Sequence, residues 1–231
     1  MESWQYAYLF GALALLPFWL GLFLYRKDIR KQMLIMSFTI GVLSLATTHY
    51  WWTVDWWQSP TVTGTKVGVE DFIAGFLSGG IMAVVYEVLF SKQQYKIKNK
   101  NINSPDVVKL LLFMAFTTSF LFWGMKLTSF WASTVALIST AVIMFYYRRD
   151  LLLNGLVSGV LMTAISGFSY ATIVMISPEW VNRAYKFDTL SGFLISGIPV
   201  EEFIFWFLAG LFFGPLYEYW QGKQLRLRKR L

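Results

Sequence analysis

The chain has 231 residues, of which 56% are hydrophobic and 14% are charged, and its net charge is +7. A soluble domain has about 25% charged residues, so this composition argues against a soluble protein. The absence of cysteine excludes disulfides and thiolate catalysis, and a single histidine, His49, excludes a metal site with several histidine ligands.

Seven apolar runs of roughly 20 residues, the length that crosses a bilayer as a helix, predict an all-α integral membrane protein. In chain order the predicted helices cover residues 6–25, 33–50, 69–90, 107–125, 130–147, 151–176 and 199–220. A tryptophan-rich loop, 51–60, follows the second helix, and a hydrophilic loop or linker, 91–106, follows the third.

The lysines and arginines are distributed unevenly between the two sides of the predicted membrane. One side, with the loops after helices 1, 3 and 5 and the C-terminal tail, holds 16 of the 20, and the other side holds 4. Because cytoplasmic loops carry the excess of basic residues, we predict a multi-pass protein of the cell membrane, with the N-terminus outside and the C-terminus in the cytoplasm. Contacts with anionic lipid headgroups explain the net charge, and we expect no nucleic-acid partner.

Two stretches of the chain are copies of each other. Residues 69–87 and 200–218 align without gaps at an offset of 131, with 9 of 19 residues identical. They predict two parallel three-helix repeats, formed by helices 1–3 and 5–7, with helix 4 as the link, and a functional site where the repeats meet. The predicted single transmembrane domain, 1–231, divides into a first repeat (1–91), a basic loop with the linking helix (92–128) and a second repeat (129–231).

Each copy opens with a pair of acidic residues, Glu70 and Asp71 in the first and Glu201 and Glu202 in the second. Carboxylates in the first turn can simply cap a helix, but acidic residues at membrane depth are costly. Their recurrence at matching places of a repeat favours function, so we predict that all four belong to a catalytic site.

Neighbouring helical residues point about 100° apart, so the two members of each pair cannot face the same way. Asp71 and Glu202 continue into stripes of small residues, which allow helices to approach closely, and we predict that helices 3 and 7 cross there. Glu70 and Glu201 are then expected to face apolar surfaces, where a carboxyl group stays protonated and can act as a general acid. The stripes contain Gly75, Gly79 and Ala83 in one copy and Trp206, Gly210 and Gly214 in the other.

Six further residues are candidate supporting residues: His49, Asp55, Trp56, Trp57, Asp188 and Phe205. His49 lies level with the acidic pairs and could act as a base or orient a carboxyl group, and the two aspartates lie in the loops before the two motifs. Aromatic rings could stabilise a cationic intermediate or belong to the interfacial belt of a membrane protein. At the other end of helices 3 and 7, we expect Glu87 and Glu218 at the interface, facing basic residues.

The segments GIPVEEFIF (197–205) and VEDF (69–72) resemble the paired signature of the membrane lycopene cyclase domain family. That family includes two-subunit bacterial carotenoid cyclases, fused archaeal cyclases and the cyclase half of fungal cyclase/phytoene synthases. The resemblance covers essentially the whole chain. Gly68 and Val54 stand where the family pattern has proline.

The resemblance implies a redox-neutral cyclisation of the end group of a linear carotenoid such as lycopene to a β-type ring, without a cofactor or metal. A carboxylic acid protonates the terminal double bond, the carbocation closes the ring, and a base removes a proton. Glu70 and Glu201 are the expected donor and acceptor, in either order, with Asp71 and Glu202 as their partners. The lipid bilayer, other carotenoid-pathway enzymes and a second copy of the chain are the expected partners besides the substrate.

Two other functions are compatible with the sequence. Intramembrane acids in parallel repeats also occur in transporters and proton-conducting proteins, and a non-catalytic carotenoid-binding subunit would share the same architecture. A retinal photoreceptor is excluded, because its Schiff base needs a lysine in helix 7 and no lysine lies between Lys186 and Lys223.

Overall fold

The computed structural model describes residues 4–97 and 105–227. Within these ranges, seven helices are long and apolar enough to cross a membrane, which confirms the predicted all-α integral membrane protein. They are α1 (Tyr6–Tyr25), α2 (Lys27–Asp55), α3 (Val69–Leu89), α4 (Val107–Gly124), α5 (Ser129–Tyr147), α6 (Arg149–Ile176) and α7 (Val200–Gln221). The strands are β1 (Lys92–Lys96), β2 (Leu194–Ile195), β3 (Ile198–Pro199) and β4 (Lys223–Leu227), and a short helix, Trp180–Ala184, lies between α6 and α7.

Several of the long helices are interrupted. α2 is α-helical over Arg30–Thr47 and continues through a π-helical turn, Thr48–Trp52, to Asp55. The predicted loop 51–60 is therefore wrong over its first half, which is helical to Asp55. Trp52 and Trp56 pack in the interior of the protein instead of lying in an interfacial loop. Other interrupted helices are α1 (Trp4–Leu13, Leu16–Tyr25), α4 (Val107–Ser119, Phe120–Gly124), α6 (Arg149–Leu151, Leu152–Ile176) and α7 (Val200–Phe213, Leu216–Gln221).

The small-residue stripes pack within helix pairs that follow each other in the chain, α3 against α2 and α7 against α6. A Cβ atom at Gly79 would lie 2.6 Å from Ile40 Cβ, and one at Gly210 would lie 2.6 Å from the carbonyl oxygen of Ser158. The prediction that helices 3 and 7 meet along these stripes is therefore wrong. Small residues indicate a close approach, but they do not specify which helix approaches.

β1 and β4 follow α3 and α7 and pair antiparallel, from Lys92 opposite Leu227 to Lys96 opposite Lys223. This sheet occupies part of the predicted loop 91–106 and of the predicted basic tail, whose remaining residues, 98–104 and 228–231, lie outside the described part of the chain. α3 and α7 both end at this sheet, and both begin at one cavity described below, so they run in the same direction. The two repeats, their boundaries and the membrane orientation stay predictions.

Glu87 and Glu218 lie together in a buried polar cluster beside this sheet. The Gln94 amide donates hydrogen bonds to Glu87 at 2.9 Å and to Glu218 at 2.8 Å, and the Gln32 amide donates to Glu218 at 2.8 Å. The expectation that both glutamates face basic residues is wrong for the hydrogen bonds of their carboxyl groups, although Arg26 lies beside Glu87 and donates to its backbone carbonyl at 3.0 Å. Buried carboxyl groups require hydrogen-bond donors, and here amide side chains of α2 and β1 supply them.

Candidate active site

A cavity of about 310 Å³ extends into the bundle from the end at which α3 and α7 begin. All seven helices contribute to its lining, together with residues that follow α2 and α6. Most of the lining side chains are apolar or aromatic, and the carboxyl groups among them are those of Asp71 and Glu202. The cavity therefore brings together one acidic residue from each of the two matching pairs.

Asp71 is held at the start of α3 by two hydrogen bonds. Its side chain is buried, Oδ1 accepts a hydrogen bond from the Tyr8 hydroxyl at 2.9 Å, and Oδ2 accepts one from the Gly68 N–H at 2.8 Å. Gly68 precedes the helix in an extended conformation, and its N–H bonds to Asp71 as in a capping box. Asp71 thus caps α3 and lines the cavity, with one hydrogen-bond donor on each of its carboxyl oxygens.

Glu202 has a different set of partners at the start of α7. It is buried, Oε2 accepts a hydrogen bond from the Tyr170 hydroxyl, and Oε1 has no hydrogen-bond partner among the described residues. The Tyr185 hydroxyl donates in turn to Tyr170 at 3.4 Å. Burial, and secondly the charge of Glu202, raise the pKa of Tyr185 well above its ordinary value. Tyr185 therefore remains a hydrogen-bond donor across the physiological pH range.

Glu70 and Glu201 are buried but do not line the cavity. Glu70 Oε1 accepts a hydrogen bond from the Val62 N–H at 2.5 Å, and Glu201 Oε1 accepts one from the Ser191 N–H at 2.7 Å. The expectation that both glutamates face apolar helix surfaces is wrong. The 100° between neighbouring residues turns them towards the preceding loops, whose buried N–H groups need acceptors.

The predicted aromatic residues Trp56, Trp57 and Phe205 all line the cavity. The Phe205 ring lies 5.1 Å from that of Trp52 and 5.3 Å from that of Trp56, both in edge-to-face geometry. Trp57 packs edge-to-face on Tyr8 at 5.4 Å, beside the Asp71 carboxylate. Aromatic rings around the two carboxyl groups can stabilise a cationic species electrostatically.

The other supporting candidates lie outside the cavity. His49 is exposed, and its ring packs against that of Tyr50. Asp55 accepts hydrogen bonds from the Ser129 N–H at 3.1 Å to both carboxylate oxygens, so it caps the start of α5. Asp188 is exposed in the turn that follows the short helix. The structure therefore gives none of these three candidates a place beside Asp71 and Glu202 in the cavity lining.

Tyr8, Tyr170 and Tyr185 are site residues that sequence reasoning missed. None of them has a tyrosine at the corresponding position of the other copy, 131 residues away. Tyrosines near helix ends also match the interfacial belt of membrane proteins. The sequence therefore does not distinguish these tyrosines from interfacial ones. Only the folded chain brings Tyr8 to Asp71 and Tyr170 to Glu202, with Tyr185 bonded to Tyr170.

Two buried carboxyl groups with unlike partners share one apolar, aromatic cavity. When two acidic groups have different surroundings, one can act as the acid and the other as the base in catalysis. An apolar lining favours an apolar ligand. Within the described residues, no group of three or more acidic or histidine side chains could hold a metal ion. The arrangement suits proton addition and removal on a hydrophobic substrate.

Comparison with known proteins identifies a protein family. The family model for lycopene cyclase matches residues 3–89 and 128–220, which together make up more than half of the chain and contain Asp71 and Glu202. The comparison with curated proteins and the comparison with solved structures each found no match. The extent of the family match shows that the chain belongs to the lycopene cyclase family.

Proposed function

We propose that this protein is a carotenoid cyclase, a redox-neutral isomerase that closes a β-type ring on the end group of a linear carotenoid such as lycopene. Membership of the lycopene cyclase family supports a carotenoid substrate. The observation that carries the proposal is that Asp71 and Glu202, from matching positions of α3 and α7, line the same apolar cavity.

Glu202 is the proton donor in this proposal, and Asp71 is the base. Glu202 has one carboxyl oxygen without a partner and a single phenolic donor on the other, so its protonated form is free to present its proton to a substrate. Asp71 has a donor on each oxygen, one of them a backbone N–H, so it has more hydrogen-bond donors for a negative charge than Glu202 has. This assignment replaces the predicted roles of Glu70 and Glu201, which bind loop N–H groups instead.

The proposed reaction proceeds in three balanced steps. The Glu202 proton adds to the terminal double bond of the substrate and leaves a tertiary carbocation. The π electrons of a second double bond attack this cation, which forms the ring carbon–carbon bond and moves the positive charge into the ring. Asp71 then removes a ring proton, and the electron pair forms the ring double bond, so the product has the mass of the substrate. Trp52, Trp56 and Phe205 are placed to stabilise the cation.

The membrane placement of this enzyme is also a proposal. With the N-terminus outside and the C-terminus in the cytoplasm of the cell membrane, the cavity lies in the outer half of the bilayer, and the β1–β4 sheet lies on the cytoplasmic side. The distribution of lysine and arginine supports this orientation. A substrate dissolved in the bilayer would reach the cavity without leaving the lipid.

Expression in a bacterial host that accumulates lycopene tests the function. Chromatography and mass spectrometry of the extracted pigments should show new compounds of unchanged mass, with the absorption of a cyclic end group. A double variant, Asp71→Asn with Glu202→Gln, is the control and should leave lycopene unaltered at the same level of membrane protein. If the wild-type protein converts neither lycopene nor other acyclic carotenoids, the proposal is wrong.

A further inference from the structure

The cavity is deep but does not cross the bundle. Along α3 its lining runs from Asp71 to Met82, and along α7 it runs from Glu202 to Phe213. Eleven residue steps of an α-helix span about 16 Å, which is about half of the roughly 30 Å hydrocarbon core of a bilayer. A long polyene whose end group lies between the two carboxyl groups therefore has to leave the cavity near the middle of the membrane.

On the side of the cavity between α2 and α4, these two helices are not closely packed on each other. α4 packs chiefly on α5, and α2 packs chiefly on α3. α4 contributes four residues to the lining of the cavity: Leu111, Met114, Ala115 and Thr118. Two of these four side chains are small, so the α4 wall leaves room for a ligand.

Ala46 on α2 marks the place where the cavity reaches the lipid-facing surface. It lines the cavity and is also exposed. Phe38 and Val42 lie on one side of Ala46 on the helix surface, and their exposed side chains face the lipid. Leu43 and Thr47 lie on its other side and line the cavity. The cavity therefore reaches the exposed surface of α2 at Ala46.

We propose that the gap between Ala46 of α2 and Ala115 of α4 is a lateral portal that holds the polyene chain of the carotenoid. One end group occupies the cavity between Asp71 and Glu202, while the chain passes through the portal and the far end stays in the lipid. The inference rests on the proposed function for the identity of the ligand.

Tryptophan substitutions at the rim test the portal. Ala46→Trp and Ala115→Trp fill the gap from opposite sides, and Ala164→Trp is the matched control, because Ala164 is exposed on α6 and does not line this cavity. Each substitution is combined with Glu202→Gln to prevent turnover. The proteins are purified in detergent from lycopene-accumulating membranes, and retained lycopene is measured by absorbance per protein.

We expect the two rim variants to retain about tenfold less lycopene, a factor that corresponds to about 1.4 kcal/mol, and the control to retain as much as Glu202→Gln alone. Ala46→Val should give an intermediate loss, which separates narrowing of the portal from misfolding. Equal retention by all variants, or no retention by Glu202→Gln, would overturn the portal. If the wild-type protein makes no cyclic product but retention still depends on Ala46 and Ala115, the cyclase proposal fails and the portal stands.

Discussion

Single substitutions of Glu201 and Glu202 show which of these two residues is the proton donor. Glu202→Gln keeps the shape of the side chain but removes the proton donor from the cavity. General acid catalysis contributes about 10²–10⁴-fold to a rate, so we expect product formation to fall at least about 100-fold. Glu201→Gln keeps an amide oxygen that can accept the 2.7 Å hydrogen bond from the Ser191 N–H. Weakening this hydrogen bond costs about 1 kcal/mol of stability, and because Glu201 does not line the cavity, the substitution leaves the lining unchanged.

The assay measures the initial rate of cyclic product formation in membranes that contain equal amounts of each variant, with thermal unfolding in detergent as a control for folding. We expect Glu201→Gln to retain most of the wild-type rate and to unfold at a slightly lower temperature. An inactive Glu201→Gln protein that is folded, together with an active Glu202→Gln protein, would refute the assignment of Glu202 as the acid.

Three further outcomes are expected. Asp71→Asn should lower the rate about 10²–10⁴-fold because the base is lost, and an unchanged rate in the same membrane assay would contradict its role. Gly210→Ala should destabilise the protein by about 1–3 kcal/mol through overpacking of α7 on α6. Gly21→Ala is the control and should be neutral or stabilising, because its added Cβ meets no atom within 4 Å. Equal melting temperatures of the two variants would count against this packing. Glu218→Leu should cost about 1–3 kcal/mol for each buried amide donor that loses its acceptor, and chemical denaturation that detects no loss would show that the inner cluster does not stabilise the fold.

The membrane helices and the importance of the acidic pairs could be predicted from the sequence because both are local signals. A run of apolar residues defines a membrane span by its length, wherever its neighbours lie. A carboxyl pair at a helix start is visible in the chain itself, and its recurrence at positions 70–71 and 201–202 connects two distant segments. Trp56, Trp57 and Phe205 are candidates as aromatic residues near the acidic motifs, and all three line the cavity.

The remaining features depend on how the helices rotate and which of them pack together. The helix angle between neighbouring residues predicts that Glu201 and Glu202 point in different directions. Which of them faces the cavity depends on how α7 packs on α6, and this is not visible in the sequence. The pairing of β1 with β4 joins segments about 130 residues apart that carry no alternation strong enough to predict a strand. Tyr170 reaches Glu202 from another helix, so no local pattern could have indicated that contact.

An experimental structure of the Glu202→Gln variant with bound lycopene would test the catalytic pair by showing where the end group binds. We expect one end group to lie between Asp71 and Gln at position 202, with the aromatic rings around it and the polyene leaving between α2 and α4. An end group bound beside Glu70 or Glu201, or outside the cavity, would contradict the assignment of Asp71 and Glu202 as the catalytic pair.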